Sequence, residues 1–127
     1  MAWKFHNEAP IYLQIVETIK LQIAQGILKP GEQIPSVRDL AVTAGVNPNT
    51  MQKALAELER EGVLYSQRTA GRFVADSVMS IGNMREELSR KHVEQYVKNM
   101  RELGYGDAEM VEVLQRHITG GSKEVYE

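Results

Sequence analysis

The sequence predicts a mainly helical chain, with a helix-turn-helix followed directly by a β-hairpin and then by two further helices. Three observations carry this. Apolar residues recur at three- and four-residue steps through most of the chain. Two short helical patterns between Ser36 and Gly62 are joined by about three residues that include Gly45, the signature of a helix-turn-helix. After Gly62 the period shortens, and two β-prone runs flank a polar loop.

The first helix is expected over 9–27, where Tyr12, Ile15, Val16, Ile19, Ile23 and Ile27 form one apolar stripe. Pro10 suits its first turn and Gly26 its left-handed end. Lys29-Pro30-Gly31-Glu32 reads as a turn, and Gln33-Ile34-Pro35 as a short edge of extended chain. Ser36 is an N-cap, with Asp39 placed where its charge meets the helix dipole. Val37, Leu40 and Ala41 make the inward face of a helix that stops at Gly45. Asn47 then caps, and Pro48 opens a helix that Met51, Ala54, Leu55 and Leu58 carry to about Glu61 before Gly62 ends it. Val63-Leu64-Tyr65 and Arg72-Phe73-Val74 form the hairpin around a loop at 66–71. A linker at 76–80 leads to a helix over 81–103, whose stripe holds Met84, Leu88, Tyr96, Met100 and Leu103, widened by Val93 and Val97. Gly104 and Gly106 break it. Asp107 then caps a short helix with Met110, Val111, Leu114 and Ile118, and 119–127 reads as a polar, frayed tail. The expected division is a winged helix-turn-helix domain over 1–76 and a two-helix region over 77–127.

Composition limits the function classes. With 127 residues, 43% of them hydrophobic, the chain suits one compact domain plus an appendage. No apolar run approaches the ~18 residues of a membrane span and no leader pattern opens the chain, so a cytoplasmic protein is expected. The absence of cysteine excludes disulfides, thiolate zinc sites and a cysteine nucleophile. His6, His92 and His117 lie far apart without paired spacing, so no metal is expected, nor any other cofactor. There is no Gly-rich phosphate loop and no nucleophile motif, which argues against an enzyme. The net charge of −2 argues mildly against a nucleic-acid partner, but it is unevenly spread. Residues 1–75 carry eight Lys/Arg against seven Asp/Glu, whereas 76–127 carry seven against ten. The acidic excess therefore lies in the second part, and the basic residues of the first can gather on one face.

One face has that character. With the apolar side of the helix after Pro48 turned inward, Asn49, Gln52, Lys53, Ala56 and Arg60 face out. Amides pair with adenine in two places, and cations meet guanine or phosphate. The helix start offers backbone N–H groups to a phosphate, Thr50 adds a hydroxyl, and Ala56 keeps the face low. A solvated helix face is the plain alternative. The context favours duplex DNA: Arg38 projects from the preceding helix, and Arg68 and Arg72 lie on the hairpin loop beyond. A winged helix used only as a protein-interaction module is the competing class, separable by its weak salt dependence.

The run "PIYLQIVETIKLQIAQGILKPGEQIPSVRDLAVTAGVNPNTMQKALAELEREGVLYSQRTAGRFV" resembles the winged-helix DNA-binding domain of GntR-type bacterial transcription regulators. "LKPGEQIPSVRDLA", "GVNPNT" and "LEREG" carry the likeness at these spacings, over more than half the chain. The N-terminal "PIY" and the short remainder after the wing resemble the YtrA-type subfamily, which implies a two-helix dimerisation part. The resemblance implies DNA contacts by Arg38, by Asn47, Pro48, Asn49 and Thr50 at the start of the recognition helix, and by Gln52 and Lys53 one turn on. It extends to the wing at Arg68, Gly71 and Arg72. Here the chain departs from the family pattern Arg-Gly-x-Gly-Thr-Phe-Val, because Thr69 replaces a glycine and Arg72 a threonine. The implied protein is a homodimeric repressor of double-stranded operator DNA, acting on its own operon and on transporter genes. A two-helix arm leaves little room for a small-molecule pocket. The methionines Met79, Met84, Met100 and Met110 read as adaptable core. The leftover stripe of Met84, Leu88, Tyr96, Met100 and Leu103 is the expected dimer interface, so truncation after Asp76 is expected to leave a folded monomer.

Overall fold

The computed structural model describes residues 2–76 and 78–120, with the backbone alone over 78–80. In chain order the elements are α1 (Ile11–Ala24), α2 (Val37–Ala44), α3 (Pro48–Arg60), β1 (Leu64–Gln67), β2 (Gly71–Val74), α4 (Val78–Glu102) and α5 (Asp107–Ile118). This is the mainly helical class expected: a winged helix-turn-helix followed by two helices. Among the described residues no helix is long and apolar enough to cross a membrane.

The core of the winged helix forms where the stripes of α1 and α3 meet. Ile15, Val16, Ile19 and Ile23 of α1 are buried, as are Met51, Ala54, Leu55 and Leu58 of α3. Ala41 and Ala44 of α2, and Leu64 and Val74 of the hairpin, close the remaining sides. At the far end of this packing the ammonium of Lys20, itself buried, lies 2.6 Å from the Glu61 carboxylate just past α3. Burial pushes the Glu61 carboxyl up, a shift reinforced by the neighbouring Glu57 carboxyl and opposed by the Lys20 charge.

α1 is shorter than its pattern. Pro10 is the N-cap rather than a first-turn residue, with ψ 142°. The helix ends at Ala24 and Gly26 turns left-handed, so Ile27 leaves the stripe and is exposed. α2 follows expectation: Ser36 Oγ accepts from the Asp39 N–H at 3.1 Å, and Gly45 closes the helix at φ 76°. A Cβ at Gly45 would lie 2.8 Å from the Cβ of Ala2. The N-terminal segment crosses this turn, and the Trp3 N–H donates to the Ala44 carbonyl at 3.2 Å.

The hairpin pairs Leu64 with Val74, Tyr65 with Phe73, Ser66 with Arg72 and Gln67 with Gly71, which narrows the loop to 68–70. The Tyr65 and Phe73 rings stack at 5.6 Å. The extended edge expected at 33–35 lies along the outer side of β2. Ile34 N–H donates to the Arg72 carbonyl at 3.0 Å and Val74 N–H to the Glu32 carbonyl at 2.8 Å. The wing is thus tied to the body along β2.

The described chain divides into two compact units inside α4, one reaching Glu86 and the other starting at Glu87. The sequence suggested a division at Asp76. α4 instead begins at Val78, and its first turns belong with the winged helix, because Ile81 and Met84 line a small apolar cleft with Ile23, Val63 and Ala75. Met84 is only 6% exposed, so its side chain is part of this core and is withdrawn from the interface expected of it. In the second unit the Tyr96 hydroxyl donates to the Met110 carbonyl at 2.7 Å, joining α4 to α5. Gly106, rather than Asp107, is the N-cap of α5, and its N–H donates to Glu109 Oε1 at 2.9 Å.

Two substitutions test this packing. Leu55→Ala, at a fully buried position, is expected to cost about 2–5 kcal/mol in urea unfolding. Gly45→Ala is expected to cost about 1 kcal/mol or more, because the left-handed backbone penalises any Cβ and Ala2 must also move.

Candidate nucleic-acid interface

The outer face of α3 follows from its inner one. Met51, Ala54, Leu55 and Leu58 are each 0% exposed, and a period of about 3.6 then turns Asn49, Gln52, Lys53, Ala56 and Arg60 outward. All five are exposed. At the helix start Asn47 Oδ1 accepts from the Asn49 N–H at 2.7 Å, with Pro48 in the first turn. The cap therefore engages one backbone donor that the sequence left for a phosphate, and the Asn47 side chain faces its own helix through that oxygen. Pro48 is exposed and Thr50 half-buried beside it, while Arg38 on α2 is exposed.

The cations differ in what holds them. The Lys53 ammonium lies 4.1 Å from the centre of the Tyr12 ring on α1. Arg60 donates to the Glu57 carboxylate one turn earlier, and that contact is the main cause holding the Glu57 carboxyl down at about 2. On the wing, Arg68 and Gly71 are exposed. Arg72, expected at the tip as an added charge for DNA, points back instead. Its guanidinium pairs with the Glu59 carboxylate on α3, and its side chain is 18% exposed. Ser66 Oγ donates to the same carboxylate at 2.8 Å. Arg72, with a smaller contribution from Ser66, holds the Glu59 carboxyl below its ordinary 4.5 despite opposing burial. Arg72 thus occupies the family's threonine position as a clasp between wing and recognition helix. Sequence reasoning missed Glu59 and Tyr12, because neither pairing has a local spacing to announce it.

In the second unit Leu88, Tyr96 and Met100 are half-buried, whereas Leu103 is 71% exposed. Val93, Val111, Leu114 and Ile118 are exposed as well. Their helical spacing was legible, but their exposure was not. Among the described residues no three His, Asp or Glu side chains gather as a metal site.

A helix-turn-helix with an outward amide and cation face, backed by a hairpin wing, defines a DNA-binding regulator of the winged-helix class. The sequence profile of the bacterial regulatory proteins of the gntR family matches residues 11–74, and the chain belongs to that family, which comprises transcription regulators rather than enzymes. It is 37% identical over 118 residues to the HTH-type transcriptional regulator YhcF of Bacillus subtilis, covering 93% of this chain and 98% of that one. It is 44% identical over 71 residues to the HTH-type transcriptional repressor YtrA of Bacillus subtilis, covering 56% of this chain and 55% of YtrA. The likeness to YhcF over nearly the whole of both chains, together with that to YtrA, places it with the YtrA-type members. Among solved structures, a GntR family transcriptional regulator from Listeria monocytogenes superposes with a TM-score of 0.80 at 30% identity, covering 88% of this chain and 98% of that one. The DNA-binding domain of AraR, solved in complex with operator ORX1, superposes with a TM-score of 0.53 at 35% identity, covering 57% of this chain and 93% of that domain.

The clasp has a pH signature. A depressed carboxyl stabilises the fold fully above its ordinary 4.5, and that stabilisation is lost as pH falls through the lower folded value. Glu59→Gln is expected to cost about 0.2–1 kcal/mol in urea unfolding at neutral pH, the range of partly exposed ion pairs. The gap to wild type should shrink as the pH is taken below 4.5. A gap that stays constant with pH would show that the charge of Glu59 does not hold the wing.

Proposed function

We propose that the chain is a homodimeric repressor that binds an inverted-repeat operator, with its own operon and transporter genes as targets. The observation that carries the DNA side is the exposed set Asn49, Gln52 and Lys53 on a helix whose opposite face is wholly buried. In this reading Asn49 and Gln52 meet base edges, Lys53 and Arg38 meet phosphate or guanine, and Arg68 with Gly71 brings the wing to the backbone. Asn47, Pro48 and Thr50 shape the helix start that approaches the duplex. The operator complex of AraR and the repressor role of YtrA support the same reading for this chain.

The dimer rests on the second unit. One recognition helix reads only a few base pairs, and pairing two of them makes the operator a repeat with fixed half-site spacing. Leu103 at 71% and Ile118 at 72% exposure, with Val93, Val111 and Leu114 exposed as well, give the second unit apolar side chains that a second copy would cover. We place the interface on these residues together with Leu88, Tyr96 and Met100. Because Ile81 and Met84 complete the winged helix, a cut after Asp76 would also strip its core, so substitution in the full chain is the cleaner test.

Affinity should fall on the order of a hundredfold or more between about 50 and 200 mM salt, as several phosphates are neutralised. A flat response in a fluorescence titration would instead favour a protein partner. Arg38→Ala should weaken binding by about 1–3 kcal/mol at matched salt without changing the melting temperature. Light scattering on full-length Leu103→Glu should report a monomer with weakened operator binding, whereas a persistent dimer would place the interface elsewhere.

A further inference from the structure

Lys53 is an exposed side chain on a flexible stem, and ordering such a stem on binding costs conformational entropy. In this chain its end already has a partner. Its ammonium lies 4.1 Å from the centre of the Tyr12 ring, well inside the ~6 Å within which a ring face attracts a cation. The platform is itself rigid. Tyr12 is half-buried in the first turn of α1, and Ile15 and Val16, just beyond it, are buried in the core. The other cation on this flank of α3, Arg60, is engaged mainly by Glu57 and least by Tyr12, whereas the ring contact is made by Lys53.

We propose that Tyr12 is a positioning residue for DNA binding, whose ring holds the Lys53 ammonium over α1 and so aims it at a phosphate beside the recognition helix. The proposal rests on the DNA reading above. The ring takes one side of the ammonium and leaves its remaining N–H donors turned to solvent, where a phosphate oxygen can accept them. Pairing with the ring also removes part of the ammonium's water before DNA arrives. Tyr12 thereby couples α1, which bears none of the base-reading residues, to the contact face of α3.

The test uses the full-length chain and a duplex that this chain enriches from a random-sequence pool. Affinities are measured for wild type, Tyr12→Phe, Tyr12→Leu, Lys53→Met and the Tyr12→Leu/Lys53→Met double variant. Tyr12→Phe keeps the ring and should bind like wild type. Tyr12→Leu should bind about two- to tenfold more weakly, the range of a cation–π contact. In the Lys53→Met background the same change should have no further effect. An equal loss in both backgrounds would mean that Tyr12 acts through packing alone. A loss in Tyr12→Phe as large as in Tyr12→Leu would assign the contact to the hydroxyl, and tighter binding by Tyr12→Leu would mean that the ring withholds Lys53 from DNA. Each of these overturns the proposal. In the free protein the Lys53 side-chain protons should show an upfield ring-current shift in wild type and Tyr12→Phe that disappears in Tyr12→Leu. Absence of the shift refutes the pairing itself. A chain that shows the shift yet enriches no duplex refutes the DNA reading, and the role of Tyr12 falls with it.

Discussion

The complete burial of one side of α3 is the constraint from which the rest of the structure follows. Met51, Ala54, Leu55 and Leu58 are taken up by α1, α2 and the hairpin, which leaves the helix no freedom to rotate about its axis. Dense packing makes such a rotation costly, since each buried group would lose its neighbours together. The direction of Asn49, Gln52 and Lys53 is thus set by residues on the opposite side of the helix. The Lys20–Glu61 pair at its C-terminal end adds an ionic stop to an apolar fit. With only Lys20 of the pair buried, the contact is weak support for stability, and it ties the end of α3 to α1.

The electrostatics of the winged helix are more selective than its near-neutral charge suggests. Two arginines close to the contact face are held by carboxylates of α3 itself, Arg60 by Glu57 and Arg72 by Glu59. Both carboxyls are shifted down by these contacts. Of the cations proposed to meet DNA, Arg38, Lys53 and Arg68 are exposed. They lie on α2, α3 and the wing, so the positive charge is spread over three elements rather than massed on one. In the DNA reading proposed above, such a pattern would limit sequence-independent attraction and leave more of the discrimination to base edges. The Arg72–Glu59 clasp also explains how a wing with Thr69 and Arg72 in place of glycine and threonine stays seated against the recognition helix.

Much of the winged helix was legible in the sequence, because its signals are local. Ser36 and Asn47 cap where they stand, Gly45 and Gly62 adopt the left-handed backbone that ends each helix, and the apolar spacing selects the buried face. The errors came where a local signal competed with a distant partner. Ile27 continues the stripe of α1, but the chain has already turned at Gly26. Met84 continues the stripe of α4, yet Ile23, Val63 and Ala75 surround it. Periodicity records which residues share a face and carries no information about what that face will meet.

The sequence by itself determined the element order, the helix-turn-helix and its caps, and which residues of α3 face inward, since periodicity and capping act over a few residues. Tertiary structure alone decided the fate of the charges and of α4. Whether Arg72 reaches outward or back to Glu59, whether Lys53 is loose or held over Tyr12, and where the first unit ends within α4 each depend on residues far apart in the chain. Those encounters exist only after the backbone has folded, because a long side chain pairs with whatever the packing brings within reach.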